Sequence, residues 1–483
     1  MVVNSLTFLL FFVVVFAVYY LPISRKSHRI QNAWLLLASY FFYGWADWTM
    51  PFLLLGVSVV FYGLGLWLKA EIDQGHSKSA SGITALGIVL GVGTLFYFKY
   101  LNFFAESFSF VLNAIGFDVS WTTLNIILPI GVSFFTFKLM SYIIEINLEI
   151  IEPSKDLIEF GTYIAFFPTI MSGPIDRPCR FIPQLQTSRL FKYDQAVDGC
   201  RQILWGMFTK MCIADNLAVI TDGVWGNLEM RSPSVLLMVI FLFPIQLYAD
   251  FDGYSNMAIG VGKLLGIKVT RNFNHPFLAR NIAEFWKNWH MSLTGWLTDY
   301  VFMPLSNAFR GLGPWGVAFA VVLNFVIVGL WHGANWTYVL FGLYHGLLFV
   351  PLVLPKNGLP TMPNALKIAA TYTLVSFGLV LFNAPSLGSV NEFLSRLMSW
   401  SAFDVLTGFN EIRLMGLKIM AVPFIVLLLI SEWMCKNKSY QLEIRSGSYL
   451  SSHKALRWSL YVGLIMLTLM CKGTETQFVY FQF

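Results

Sequence analysis

Apolar stretches free of charged residues, each long enough to cross a lipid bilayer, recur from one end of this chain to the other. Roughly 20 such residues span a hydrocarbon core about 30 Å thick. They run from Met1 to Ser24, Trp48 to Leu68, Ser79 to Phe98, Val119 to Phe137, Phe160 to Ile175, Ser232 to Ala249 and Ile368 to Val390. A longer run, Gly311 to Pro355, must hold two spans or a re-entrant pair. Ile30 to Ala46, Arg201 to Ile220, Ile419 to Ile430 and Trp458 to Cys471 are shorter candidates with a few polar residues. The expected fold is all-α: a polytopic membrane protein with roughly ten to thirteen transmembrane helices plus interfacial or re-entrant helices.

Composition agrees with lipid as the main solvent. The chain is 57% hydrophobic and 12% charged, where a soluble domain carries about 25% charged residues. Linkers between the runs are short, so residues 1–483 read as a single membrane domain without a separate soluble catalytic module. The first run lacks a basic region before it and a small-residue cleavage site after it, and so reads as a retained helix rather than a secretory signal. Arg25, Lys26 and Arg29, then Lys69 and Lys78, place their loops in the cytoplasm by the positive-inside rule, with the N-terminus outside. The net charge of +6 fits that bias and contact with anionic head groups, not nucleic-acid binding. The five cysteines have neither C-x-x-C nor metal-ligand spacing, so neither a metal site nor a disulfide framework is expected. No fixed-period repeat is visible, which removes solenoids and weakens an inverted-repeat transporter.

Polar residues concentrate between Pro168 and Leu305, where they are costly unless they face protein or water. In FFPTIMSGPIDRPCRFIPQLQ (166–186), four prolines exclude one regular helix. A span ends there in a loop, with Asp176, Arg177 and Arg180 near the interface, either snorkelling to head groups or forming a rigid funnel wall. In QLYADFDGYSNMAIG (246–260), Asp250 and Asp252 either cap the next helix or pair with an arginine, or else orient a histidine or hold a polar substrate. AEFWKNWHMSLTGWLTDY (283–300), read at helical period, gathers Phe285, Trp289, Leu293 and Trp296 on one side, with Glu284, Lys287, Thr294 and Thr298 opposite. His290 sits at the rim with Trp286 one turn earlier, on an amphipathic helix that is interfacial or lines a cavity. Taken alone, His290 reads more readily as a hydrogen-bonded structural residue than as a catalyst, and the aromatic side chains beside it are equally expected of an interface belt.

VIVGLWHGANWTYVLFGLYHG (326–346) places His332 between apolar runs with no charge nearby. Burial disfavours the charged ring, so a neutral imidazole is expected, able to accept a proton from a hydroxyl or thiol. Gly329 and Gly333 leave room for a ligand or backbone to approach, and Asn335 could bond the ring or a carbonyl. The alternative is a histidine bonded to a carbonyl between packed helices. His345 reads as a packing residue, and Gly87, Gly91 and Gly93 as close helix packing. No G-x-S-x-G, P-loop or H-E-x-x-H motif is present.

FWKNWHMSLTGWLTDY followed about forty residues later by GLWHGANWTYVLFGLYHG resembles the signature of the membrane-bound O-acyltransferases, within their bacterial branch of alginate O-acetylation and teichoic-acid D-alanylation proteins. ASYFFYGW, LPIGVSFFTFKLMSYIIE, FPTIMSGPIDRPCRFIPQL and QLYADFDGYSNMAIG extend the likeness over most of residues 30–350, with residues 356–483 supplying further transmembrane helices. The resemblance implies catalysis by His332 with His290 as its partner. It also implies a substrate channel lined by Trp286, Trp289, Ser292, Trp331, Asn335, Asp250 and Tyr254.

No permanently bound cofactor is implied; the donor is acetyl-CoA or another acyl thioester from the cytoplasm. The acceptor is an extracytoplasmic or cell-wall polysaccharide, reached through an extracytoplasmic partner acyltransferase from the bacterial inner membrane. D-alanyl transfer to teichoic acid stays open, as does a transporter or flippase of a polar cargo. Asp252, Asn256, Thr298, Asn288, Lys138 and Asn383 depart from the residues more frequent in that family at their positions, which bears on acceptor and partner choice.

Overall fold

A computed structural model describes residues 1–22, 27–354, 362–399, 403–418, 421–445, 447 and 449–479. Arg25 and Lys26, used above for topology, lie outside them. Among the described residues every regular element is helical. Eight helices among the described residues are long and apolar enough to cross a membrane, and Leu6–Tyr19 and Ala421–Met434 are shorter apolar helices. Large apolar side chains such as Leu10, Phe52, Trp67, Val89 and Leu469 lie exposed on these helices, the surface expected where lipid replaces water. The Gly311 to Pro355 run resolves into two helices, Pro314–His332 and Trp336–Val353.

The chain divides into two compact units. The first comprises 1–200 and 258–270. In it, glycines bring helices together: a Cβ on Gly65 would lie 2.6 Å from the Tyr142 ring, and Cβ atoms on Gly87 and Gly91 would press on Ile143 and Met140. Gly93 faces open space. Buried Arg189 ties the unit together, donating to the Tyr19 hydroxyl (2.7 Å), to Asn32 Oδ1 (2.7 Å) and to three carbonyls.

Three sequence expectations fail in this unit. Val119 to Phe137 is not a span, because the chain is irregular to Pro129 and turns at Gly131 (φ 76°), and a helix begins only at Val132. A Cβ at Gly131 would sit 2.2 Å from the Ile170 carbonyl oxygen, so only glycine fits. The 160–175 run likewise stops early, at the end of Leu157–Ala165. The proline-rich segment then holds a short helix, Pro178–Leu185, with Pro178 in its first turn, where a missing N–H costs nothing. Asp176 is buried, not interfacial, and accepts from the Thr270 N–H at 2.9 Å.

The second unit comprises 201–257 and 271–483. Pro233–Leu264 runs through Asp250 and Asp252 without a break, so these carboxylates sit inside a helix and cap nothing. A core of Ile220, Val235, Val239, Phe393 and Ile412 anchors the unit's helices.

Candidate active site

The site is built where a helix is interrupted. The expected continuous helix 283–300 is three pieces: Ile282–Asn288, Met291–Leu297 and a π-helical turn, Thr298–Phe302. Trp289 is extended and His290 is left-handed (φ 45°), a conformation that costs a non-glycine residue roughly 1–2 kcal/mol. The segment after residue 270 holds the break open. The Met291 N–H donates to the Asn272 carbonyl (2.7 Å) and the Asn274 N–H to the Asn288 carbonyl (3.0 Å). Ser292 Oγ donates to Asn272 Oδ1 (2.6 Å), and Asn272 Nδ2 donates to Ser255 Oγ (3.0 Å). Ser292 is therefore a brace of the turn.

The turn aims His290 inward. Its ring is almost fully buried and caps the next helix, Nδ1 accepting from the Leu293 N–H at 3.4 Å. In a neutral ring the proton is then on Nε2. Burial pushes the pKa down to about 3, so the ring is neutral at any physiological pH. Phe251 packs edge-on against it at 4.6 Å, Trp331 at 5.8 Å, and the His332 ring lies 6.5 Å away, centroid to centroid.

His332 is the last residue of Pro314–His332 and is buried. Trp331 (5.0 Å), Phe382 (5.1 Å) and Phe341 (6.1 Å) surround it. The glycines beside it serve backbone packing, not ligand access. A Cβ on Gly329 would stand 2.0 Å from the Tyr338 carbonyl oxygen, and one on Gly333 2.1 Å from the Tyr338 ring. Asn335 caps the next helix, accepting from the Thr337 N–H (3.1 Å), and donates to the Pro385 carbonyl (2.9 Å).

The structure thus gathers His290, Trp331 and His332 at one place. Trp286 stands behind Phe341, its Nε1 donating to His345 Nδ1 at 3.3 Å. His345 accordingly does more than pack, and Gly378 opposite is required because a Cβ there would meet its Nε2 at 2.5 Å. Trp289 packs among Phe273, Phe285, Tyr248 and Phe277.

Asp250 belongs to an ion cluster that the sequence reading passed over. Fully buried Lys210 lies 2.5 Å from Asp250 and 2.8 Å from Asp215, with the Phe478 ring under its ammonium at 4.4 Å. Tyr254 packs on the same Phe478, at 4.7 Å. The partner of Asp250 is a lysine rather than the arginine expected, and Asp252 accepts from Asn256 Nδ2 at 2.8 Å. The visible signal of Lys210 was a cation in the middle of the apolar run 201–220. Phe251, one residue beyond Asp250, is the link from that helix to His290.

A buried imidazole pair walled by aromatic rings can move a proton between a hydroxyl and a leaving group while excluding water. The comparisons point to the same chemistry. Residues 151–354 match the model of the membrane-bound O-acyltransferase family. A probable alginate O-acetylase from Pseudomonas aeruginosa is 35% identical, covering 87% of this chain and 79% of its own length. A peptidoglycan O-acetyltransferase from Helicobacter pylori is 28% identical over 95% and 92%, and a teichoic acid D-alanyltransferase from Bacillus subtilis 33% identical over 54% and 69%. This multi-span membrane chain belongs to the membrane-bound O-acyltransferase family.

Proposed function

We propose that the chain is an O-acetyltransferase of a bacterial inner membrane. It draws the acetyl group from a cytoplasmic thioester such as acetyl-CoA and delivers it toward an exported or cell-wall polysaccharide, together with an extracytoplasmic partner. The observation that carries the reading is the convergence of His290 and His332 at 6.5 Å inside a shell of aromatic rings.

His332 accepts the proton of the attacking hydroxyl as its oxygen bonds to the thioester carbonyl carbon. The carbon–sulfur bond then breaks, and the proton leaves with the thiolate as a free thiol. His290, held by the Leu293 N–H, presents Nε2–H toward the reacting region and stabilises developing negative charge. Moving an acetyl group instead of a charged donor avoids the cost of charge in lipid. The acetyl group is favoured over D-alanine because the acetyl-transferring relatives match over most of the chain, whereas the D-alanyltransferase matches over 54% of it.

The test is transfer of labelled acetyl from acetyl-CoA in membrane vesicles, with partner proteins supplied. Wild type is compared with His332→Ala and His290→Ala at matched protein levels. Loss of one general base typically costs 10²–10⁴-fold, so His332→Ala should fall to background and His290→Ala at least tenfold. Wild-type membranes that label only from a D-alanyl carrier would move the donor assignment. Labelling from no thioester or carrier would remove the enzymatic reading.

A further inference from the structure

Beside the histidine pair, within the second unit, lies a cavity of about 370 Å³ that the acyl-transfer reading does not use. Val317, Val321 and Val328 line it from Pro314–His332, Phe349 and Val353 from Trp336–Val353, and Phe302 from the turn after Met291–Leu297. The first two helices are candidate membrane spans, so the walls suit a hydrocarbon chain. Water there would find few partners.

The polar groups of the cavity share a pattern. Lys287 is exposed at the lining, and among the described residues it makes no ion pair, since Glu284 is engaged by Arg280 at 3.2 Å. Asn324 Oδ1 is buried without a hydrogen-bond partner among the described residues. The Thr294 and Thr298 hydroxyls already donate, to the carbonyls of Trp289 (3.0 Å) and Thr294 (2.7 Å). The wall therefore offers acceptors, the Asn324 amide N–H groups and one cation. Its complement is an apolar chain joined to a group that carries negative charge and hydroxyl donors.

We propose that this cavity binds one anionic, glycerol-headed phospholipid of the phosphatidylglycerol class. Its phosphate meets Lys287, a glycerol hydroxyl donates to Asn324 Oδ1, and part of an acyl chain fills the valine-lined slot. Phosphatidylcholine supplies the chain but neither the net charge nor the hydroxyls. The site adjoins the catalytic turn, because Leu293 lines the cavity and donates to His290, and Trp286 lines it and donates to His345.

The full chain, purified in mild detergent, is offered equal amounts of phosphatidylglycerol and phosphatidylcholine, and retained lipid is counted by mass spectrometry. Wild type should retain the anionic lipid with about fivefold preference, the effect of one lysine near a membrane surface. Lys287→Gln, on an exposed residue, should bring that preference close to parity. Val321→Trp should fill the slot and lower retention of both lipids. Parity in wild type, or an unchanged preference in Lys287→Gln, would overturn the proposal. So would release of the bound lipid by coenzyme A, which would give the cavity to the acyl donor. Lipid retention is read without acyl transfer, so the proposal stands or falls apart from the donor assignment.

Discussion

Gly329→Ala tests whether helix packing sets the catalytic geometry. The added Cβ would lie 2.0 Å from the Tyr338 carbonyl oxygen, 3.0 Å from its carbon and 3.2 Å from the Gly342 nitrogen. All three are backbone atoms of Trp336–Val353, so no rotamer change relieves the contact. Ordinary contact begins at 3.4 Å, so one helix must move by about 1.4 Å relative to the other. Overpacking of this kind costs about 1–3 kcal/mol. The moving helix carries His332 three residues further on, with Trp331 and Phe382 about its ring.

A misplacement near 1 Å can cost about 10²-fold in rate. The expected result is folded protein with a lowered melting temperature in detergent and acetyl transfer reduced about a hundredfold at matched protein level. Gly93→Ala, at a position with open space, is the control and should match wild type. If Gly329→Ala transferred acetyl within twofold of wild type, close approach of these two helices would not be what positions His332.

Lys210→Met leaves Asp215 and Asp250 buried without their cation and should destabilise the protein by about 3–5 kcal/mol, read as lost detergent-stable protein. Adding Asp250→Asn should recover part of that loss, and a Lys210→Met protein as stable as wild type would refute the pairing. Trp286→Phe keeps the packing on Phe325 but strands His345 Nδ1, so a loss of about 1–3 kcal/mol is expected in thermal melts. His275 is lowered by burial, but the hydrogen bond and charge of Glu432 at 2.8 Å outweigh that and raise its pKa above 6.5. The stabilisation is therefore fully present below pH 6.5 and lost as pH rises through the raised value. Wild type should lose stability relative to His275→Gln as pH rises above 6.5, and parallel melting profiles would contradict the sign.

Most spans were legible because absence of charge over span length is a property of one segment, independent of its neighbours. His332 was legible for the same reason, as a lone ionisable ring between two apolar runs. The 119–137 run failed despite its composition, and Pro129 and Gly131 were the visible warning. The break at His290 carried no local warning, since Asn-Trp-His-Met contains neither Pro nor Gly. What opens it is backbone pairing with Asn272 and Asn274, a tertiary fact. Lys210 was hidden likewise, because its two carboxylates define it and one of them lies forty residues on.

Two of the features that sequence reading misjudged, the break at His290 and the glycines beside His332, belong to the same requirement. The proposed transfer needs the His290 and His332 rings held in a fixed relation, and each ring is attached to an element that would not hold it unaided. The left-handed residue at His290 would revert to a regular helix if the Asn272–Met291 and Asn274–Asn288 bonds did not offset its strain. The end of Pro314–His332 would fray if Gly329 and Gly333 did not admit Tyr338 at contact distances no larger residue permits. Residues that never touch a substrate therefore decide whether the histidines meet, and loss of transfer with retained fold is expected at Gly329 as well as at His332.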